Sequence, residues 1–147
     1  MKIFLSLLLT LVMDACVPAS DKNQVAGAIR AVMQAQQAAW NRGDIEGFMD
    51  GYERSEATTF VSGDELMRGW QSVLDRYKQR YSAPGQMGTL SFEELDIQPI
   101  SPSYALADGR WQLTRGADAP HGRFTLVFRQ TSKGWRIVHD TTTSATQ

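Results

Sequence analysis

Hydrophobic positions along this chain change their period near residue 88. Before that point apolar residues recur every three or four places, interrupted by one short β-branched stretch. Beyond it they alternate with polar residues almost to the C-terminus, which is the two-residue repeat of half-buried strands. Helices come first, therefore, and a meander of strands follows.

In the first part, Val25, Ile29, Val32, Ala35, Ala39 and Trp40 make one stripe, with Lys22, Arg30, Gln34 and Gln37 opposite it. This predicts a helix that opens at a capping box formed by Asp21 and Gln24 and stops at Gly43, where a left-handed conformation is favoured. Asp44 caps a second, short helix whose Ile45, Phe48, Met49 and Tyr52 share a face. Residues 57–61 read as a strand, residues 62–65 as a turn, and residues 66–68 as a short return strand. A third helix runs over 70–81, its apolar stripe made by Trp70, Val73, Leu74, Tyr77 and Tyr81.

In the second part, the strand over 89–100 slips its phase. Leu90 and Phe92 share one face and Leu95 and Ile97 the other, so a bulge is expected near Glu93 and Glu94. A long strand over 103–115 carries Ala105, Ala107, Trp111 and Leu113 on one face and Asp108, Arg110 and Gln112 on the other. Two further strands, 122–131 and 135–141, are joined by a turn at Ser132, Lys133 and Gly134. Simple alternation groups Trp135, Ile137 and His139 on one face of the last strand, with Arg136, Val138 and Asp140 behind them. The pattern predicts an α+β domain, with N-terminal helices packed on a curved antiparallel sheet.

Composition adds bounds. A chain of 147 residues makes one domain with a proper core, and 15 basic against 16 acidic residues give no electrostatic reason to expect nucleic acid. With a single cysteine, no internal disulfide is available. Lys2 followed by the apolar run from Ile3 to Met13 is too short to span a bilayer but suits a signal-peptide core. Residues 1–19 are accordingly assigned as an export signal and 20–147 as the folded domain, which implies a periplasmic protein. Met13, Asp14, Ala15 and Cys16 resemble a bacterial lipobox, although Asp14 departs from the usual small or apolar residue. Lipidation at Cys16 and ordinary cleavage after Ala19 both stay open. The membrane enters only through such an anchor.

The order and spacing of Trp40, Asn41, Arg42, Gly43 and Asp44, the Arg68, Gly69, Trp70 helix entry, the 122–129 strand and the Gly134 to Asp140 strand resemble the nuclear transport factor 2-like superfamily. They are most similar to a SnoaL-like group whose last strand ends in His-Asp-His-Thr-Ser. Here Thr141 replaces the second histidine. The resemblance implies a cone with a pocket between helices and concave sheet. It does not imply one activity, because such cones host isomerases, dehydratases, cyclases and plain binding domains. Cone proteins of this type also pair through the sheet, so a homodimer is expected.

Within such a cone Trp40, Phe48, Tyr52, Phe60, Tyr77, Tyr81 and Trp111 are placed to line the pocket, as core or as ligand contacts. His139 is the candidate general base, since imidazole titrates nearest neutrality; a hydrogen-bonded histidine at the core's edge is the plainer reading. Neither a metal site nor a cofactor motif is recognisable. Tested against ketosteroid isomerase, the alignment places Gln36 where that enzyme holds its oxyanion tyrosine. It puts the catalytic aspartate's place near Val61 and finds no carboxylate in 124–128, so that activity is rejected. Three readings follow: a pocket for a small hydrophobic molecule, a lyase, isomerase or cyclase using His139, and a non-catalytic dimerisation module.

Overall fold

The computed structural model describes residues 19–83 and 85–145. The expected signal segment, Cys16 included, lies outside them apart from Ala19. The elements are α1 (Ala19–Asn41), α2 (Ile45–Met49), β1 (Thr59–Ser62), β2 (Glu65–Arg68), α3 (Trp70–Arg80), β3 (Thr89–Pro99), β4 (Tyr104–Thr114), β5 (His121–Thr131) and β6 (Gly134–Thr142). None of the described helices is long and apolar enough to cross a membrane.

The six strands form one sheet in the order β2-β1-β6-β5-β4-β3. Its pairs are antiparallel except one: β1 runs parallel to β6, so the sheet is mixed where alternation alone had implied a purely antiparallel one. The chain leaving α2 already runs parallel to β6 at the Tyr52–Ile137 bridge, β1 continues in that direction, and the β1–β2 hairpin then fills the sheet's edge.

Ile29, Met33, Gln36, Ala39 and Trp40 form the buried stripe of α1, so the amide of Gln36 takes the place expected for Ala35, which is exposed. Gln36 is accommodated because its Nε2 donates to the Phe48 carbonyl at 3.0 Å, satisfying a group that burial would otherwise penalise. The helix begins at Ala19, so Asp21 lies in its first turn rather than at its cap. Asp44 does cap α2, accepting from the Gly47 amide at 2.7 Å. Its carboxyl sits below the usual range because that backbone N–H and Arg42 favour the charged form.

Helix α1 lies along β3 and bonds to its outer edge. Gln37 Oε1 accepts from the Phe92 amide at 3.0 Å, and Asn41 exchanges two hydrogen bonds with Leu90, at 3.1 Å and 2.7 Å. Within β3 the pairing shifts between Glu93 and Asp96, and Glu94 takes φ 51°. This is the bulge that the phase slip predicted, and it brings Leu95 and Ile97 onto the core side.

The core fills the concave side of the sheet. Phe60, Leu90, Ala105, Ala107, Leu113, Phe124, Leu126, Phe128, Trp135 and Ile137 meet the apolar faces of the three helices there.

Candidate functional site

All seven aromatic residues singled out from the sequence line one cavity, which encloses about 100 Å³. Four layers of the fold supply them. Trp40 comes from α1, Phe48 and Tyr52 from α2 and its exit, Phe60 and Trp111 from the sheet, and Tyr77 and Tyr81 from the end of α3. The ring of Trp40 meets Phe48, Tyr77 and Tyr81 edge-on at 5.2, 5.9 and 4.7 Å, and Tyr77 in turn meets Phe48, Phe60 and Tyr81. Such pairs contribute about 0.5–1.5 kcal/mol each beyond area burial, enough to fix the wall's shape. The indole N–H of Trp40 donates to the Met87 carbonyl at 3.0 Å, which also fixes the ring in rotation.

The carboxyl in this wall is Asp140, only 5% exposed. Tyr52 donates its hydroxyl to Asp140 Oδ2 at 2.5 Å. Oδ1 is buried and is the one buried side-chain polar atom without a hydrogen-bond partner among the described residues. Burial pushes the Asp140 carboxyl up to about 7, against the Tyr52 hydrogen bond and the Arg76 charge, which both pull it down. Burial, then the neighbouring Asp140 charge, holds the Tyr52 hydroxyl well above its ordinary value, so it remains a donor. Tyr77 is likewise raised, by burial first and Asp140 second. The result is a carboxyl that exchanges its proton near neutrality beside a tyrosine that keeps its own.

His139 does not line the cavity, contrary to the face assigned by alternation. On β5, Val127 lies opposite His139 but the next residue, Phe128, lies opposite Ile137, so Val138 is an extra residue in β6. This bulge resets the alternation: Trp135, Ile137 and Asp140 face the core, and His139 turns outward with Val127. Its physical origin is a change of neighbour along β6. Ile137 exchanges backbone hydrogen bonds with Gly51 and Glu53, both at 2.9 Å, whereas His139 begins the pairing with β1 at Thr59. The chain between those attachments leaves the sheet, and Val138 spans the gap. His139 is held on the outer face, with Nδ1 at 2.6 Å from Thr59 Oγ1 and Nε2 at 2.9 Å from Thr141 Oγ1. Thr141, standing where the similar group has a second histidine, thus serves as a partner to the first.

Asp140 was missed because nothing apolar follows Val138 to reveal the new phase. Gln36, at the position matched to the oxyanion tyrosine, does line the cavity, and Val61 does not. Among the described residues no group of three or more His, Cys, Asp or Glu side chains converges on a point.

The sequence profile of the SnoaL-like domain matches residues 29–144. A nuclear transport factor 2-like protein of unknown function from Shewanella oneidensis MR-1 is 33% identical. The match covers 80% of this chain and 98% of that one, with a TM-score of 0.77. A nuclear transport factor 2-like superfamily protein from Salmonella enterica serovar Typhimurium LT2 shares the fold at 18% identity and a TM-score of 0.68, over 85% of this chain and 94% of the other. A ketosteroid isomerase-like protein from Erwinia carotovora atroseptica SCRI1043 shares it at 17% identity and a TM-score of 0.69, over 85% and 99%. No curated protein matches the sequence.

Proposed function

We propose, for a chain that belongs to the SnoaL-like domain family, that the aromatic cavity binds a small hydrophobic molecule, and that Asp140 anchors a polar group on it. The observation that carries this reading is Asp140 Oδ1, buried in a largely aromatic wall with no partner. An unmade hydrogen bond in such a place costs about 1–3 kcal/mol, and a ligand hydroxyl or amide N–H arriving there relieves it. A ligand carbonyl does the same when Asp140 is protonated. The test is a carboxyl-selective NMR titration of Asp140 with a panel of small hydrophobic alcohols and carbonyl compounds. A ligand that shifts the Asp140 midpoint supports the anchor; binding that leaves the midpoint where it was refutes it.

A second reading is favoured by the midpoint itself. A carboxyl raised to about 7 is matched to general acid–base work at neutral pH, so a lyase, isomerase or cyclase would use Asp140 in the role first given to His139. Turnover that survives Asp140→Asn ends that reading.

Export to the periplasm is proposed on the sequence alone, either by cleavage after Ala19 or with a lipid anchor on Cys16, and intact-mass measurement of the membrane and soluble fractions separates the two. A homodimer through the outer sheet face, around Val127, is proposed on the same footing. Light scattering on the purified protein decides it, a monomer at high concentration being the contrary result.

A further inference from the structure

The rim of the cavity carries a charge arrangement that the aromatic wall does not explain. Arg76 and Arg80 both line it, one helical turn apart on α3. Ser62 and Thr142, which lie opposite each other where β1 pairs with β6, line it too, with Ser144 just beyond.

Arg76 is under-partnered for its environment. Its side chain is only 17% exposed, with the guanidinium 5.0 Å from the centre of the Phe60 ring. Its acid contact is with Glu65 Oε2, at 3.4 Å from both Nε and one terminal nitrogen. A well-seated arginine–carboxylate fork closes to about 2.7–2.9 Å and engages both oxygens. Glu65 does neither, and its own side chain is 60% exposed. Arg80 makes no ion pair among the described residues; its guanidinium lies 6.0 Å from the Tyr81 ring. Two cations thus face a cavity whose carboxyl, Asp140, is hydrogen-bonded by Tyr52 and forms no ion pair with either. The chain as a whole has a net charge of -1, so a basic surface in general does not account for the pair.

Size narrows the occupant. A dry cavity of about 150 Å³ accommodates benzene, and this one encloses about 100 Å³. The space is smaller than a benzene site, so a short branched chain or the edge of a ring fills it and the rest of the molecule extends to the rim between the guanidiniums and hydroxyls.

We infer that the ligand is a small amphipathic carboxylate, its apolar body among the aromatic rings and its carboxylate held at the rim by Arg76 and Arg80, with Ser62 donating its hydroxyl. This rests on the cavity being a binding site and names the class of molecule it takes. Planar guanidinium forks fit a carboxylate in two-point contact, and the aromatic floor gives the body a place that a bare inorganic anion would not use.

The test compares phenylacetate with its neutral counterpart phenylacetamide, by calorimetry on the full chain, in the native protein and in Arg80→Gln, Arg76→Gln and the double variant. Phenylacetate is expected to bind about tenfold more tightly than the amide at low salt, the scale of a charge-assisted pair. That preference is expected to disappear in the double variant, where the two probes should bind with the same affinity. Arg80 is exposed, so Arg80→Gln keeps the test open if Arg76→Gln folds poorly. Equal binding of the two probes overturns the carboxylate class and leaves the cavity reading standing. A preference that survives in the double variant also overturns it, by placing the anion elsewhere. Binding of neither probe removes the cavity reading and this inference together.

Discussion

Tyr52 and Asp140, 88 residues apart in the chain, meet at 2.5 Å inside the aromatic cavity. The contact ties the exit of α2 to the last strand and gives the buried carboxyl its one protein donor. Tyr52→Phe removes that donor with little change of shape. It is expected to destabilise the protein by about 1–3 kcal/mol in urea, because a buried acceptor is left unmet. It is also expected to raise the Asp140 midpoint further, since the Tyr52 hydrogen bond is one of the influences pulling it down.

Asp140 makes stability depend on pH in the direction opposite to a salt-bridged acid. Its carboxyl rises from 3.8 in the unfolded chain to about 7 when folded, so the folded state holds the extra proton between those values. Stability is therefore greatest below the lower value, falls as pH rises through the window, and levels off above the folded midpoint. Asp140→Asn carries no charge to bury. At about pH 8 it is expected to be more stable than the native protein by on the order of 2 kcal/mol. Near the acid end of the window the difference vanishes. Urea titrations at several pH values measure both.

His139→Ala separates the two consecutive residues by function. Both ring nitrogens are occupied by Thr59 and Thr141 on the outer face, so the substitution is expected to loosen the β1–β6 pairing by about 1 kcal/mol. The Asp140 midpoint and binding in the cavity should be unchanged. A shift in either on NMR titration would return His139 to the site.

Two glycines are expected to respond in opposite senses to alanine. A Cβ on Gly122 would lie 1.8 Å from the Thr143 carbonyl oxygen and 2.8 Å from Trp111 Nε1. Trp111 already donates to that carbonyl at 3.0 Å, so backbone and indole both resist moving. Gly122→Ala should lower stability by about 2–4 kcal/mol. A Cβ on Gly27 meets nothing within 4 Å on an exposed turn of α1, and Gly27→Ala should raise stability by about 0.5–1 kcal/mol. Denaturation midpoints of the two variants give the comparison.

The two bulges explain how much was legible in the sequence. The one at Glu94 was readable because apolar residues flank it on both sides: Leu90 and Phe92 set one phase, Leu95 and Ile97 the other. The one at Val138 was not, because Asp140, Thr141, Thr142, Thr143 and Ser144 are all polar and carry no phase. The parity of the strand's first half was therefore carried too far, and His139 was given the face that Asp140 occupies. Helices and aromatic lining were legible for the reverse reason, since each stripe is marked over several turns. Gln36 escaped notice as a core residue because its burial depends on an acceptor supplied by α2, a tertiary fact that spacing does not encode.

The amides that α1 lays along β3 have a consequence for how copies of this chain meet. A terminal strand with free N–H and C=O groups is a template for intermolecular β-pairing and, from there, for fibrils. On β3 that template is occupied where Gln37 and Asn41 engage Phe92 and Leu90. At the other border, β2 has four residues, with Glu65 at one end and Arg68 at the other. Neither border offers a long uncharged rail, so the molecule resists runaway cross-β growth even when crowded.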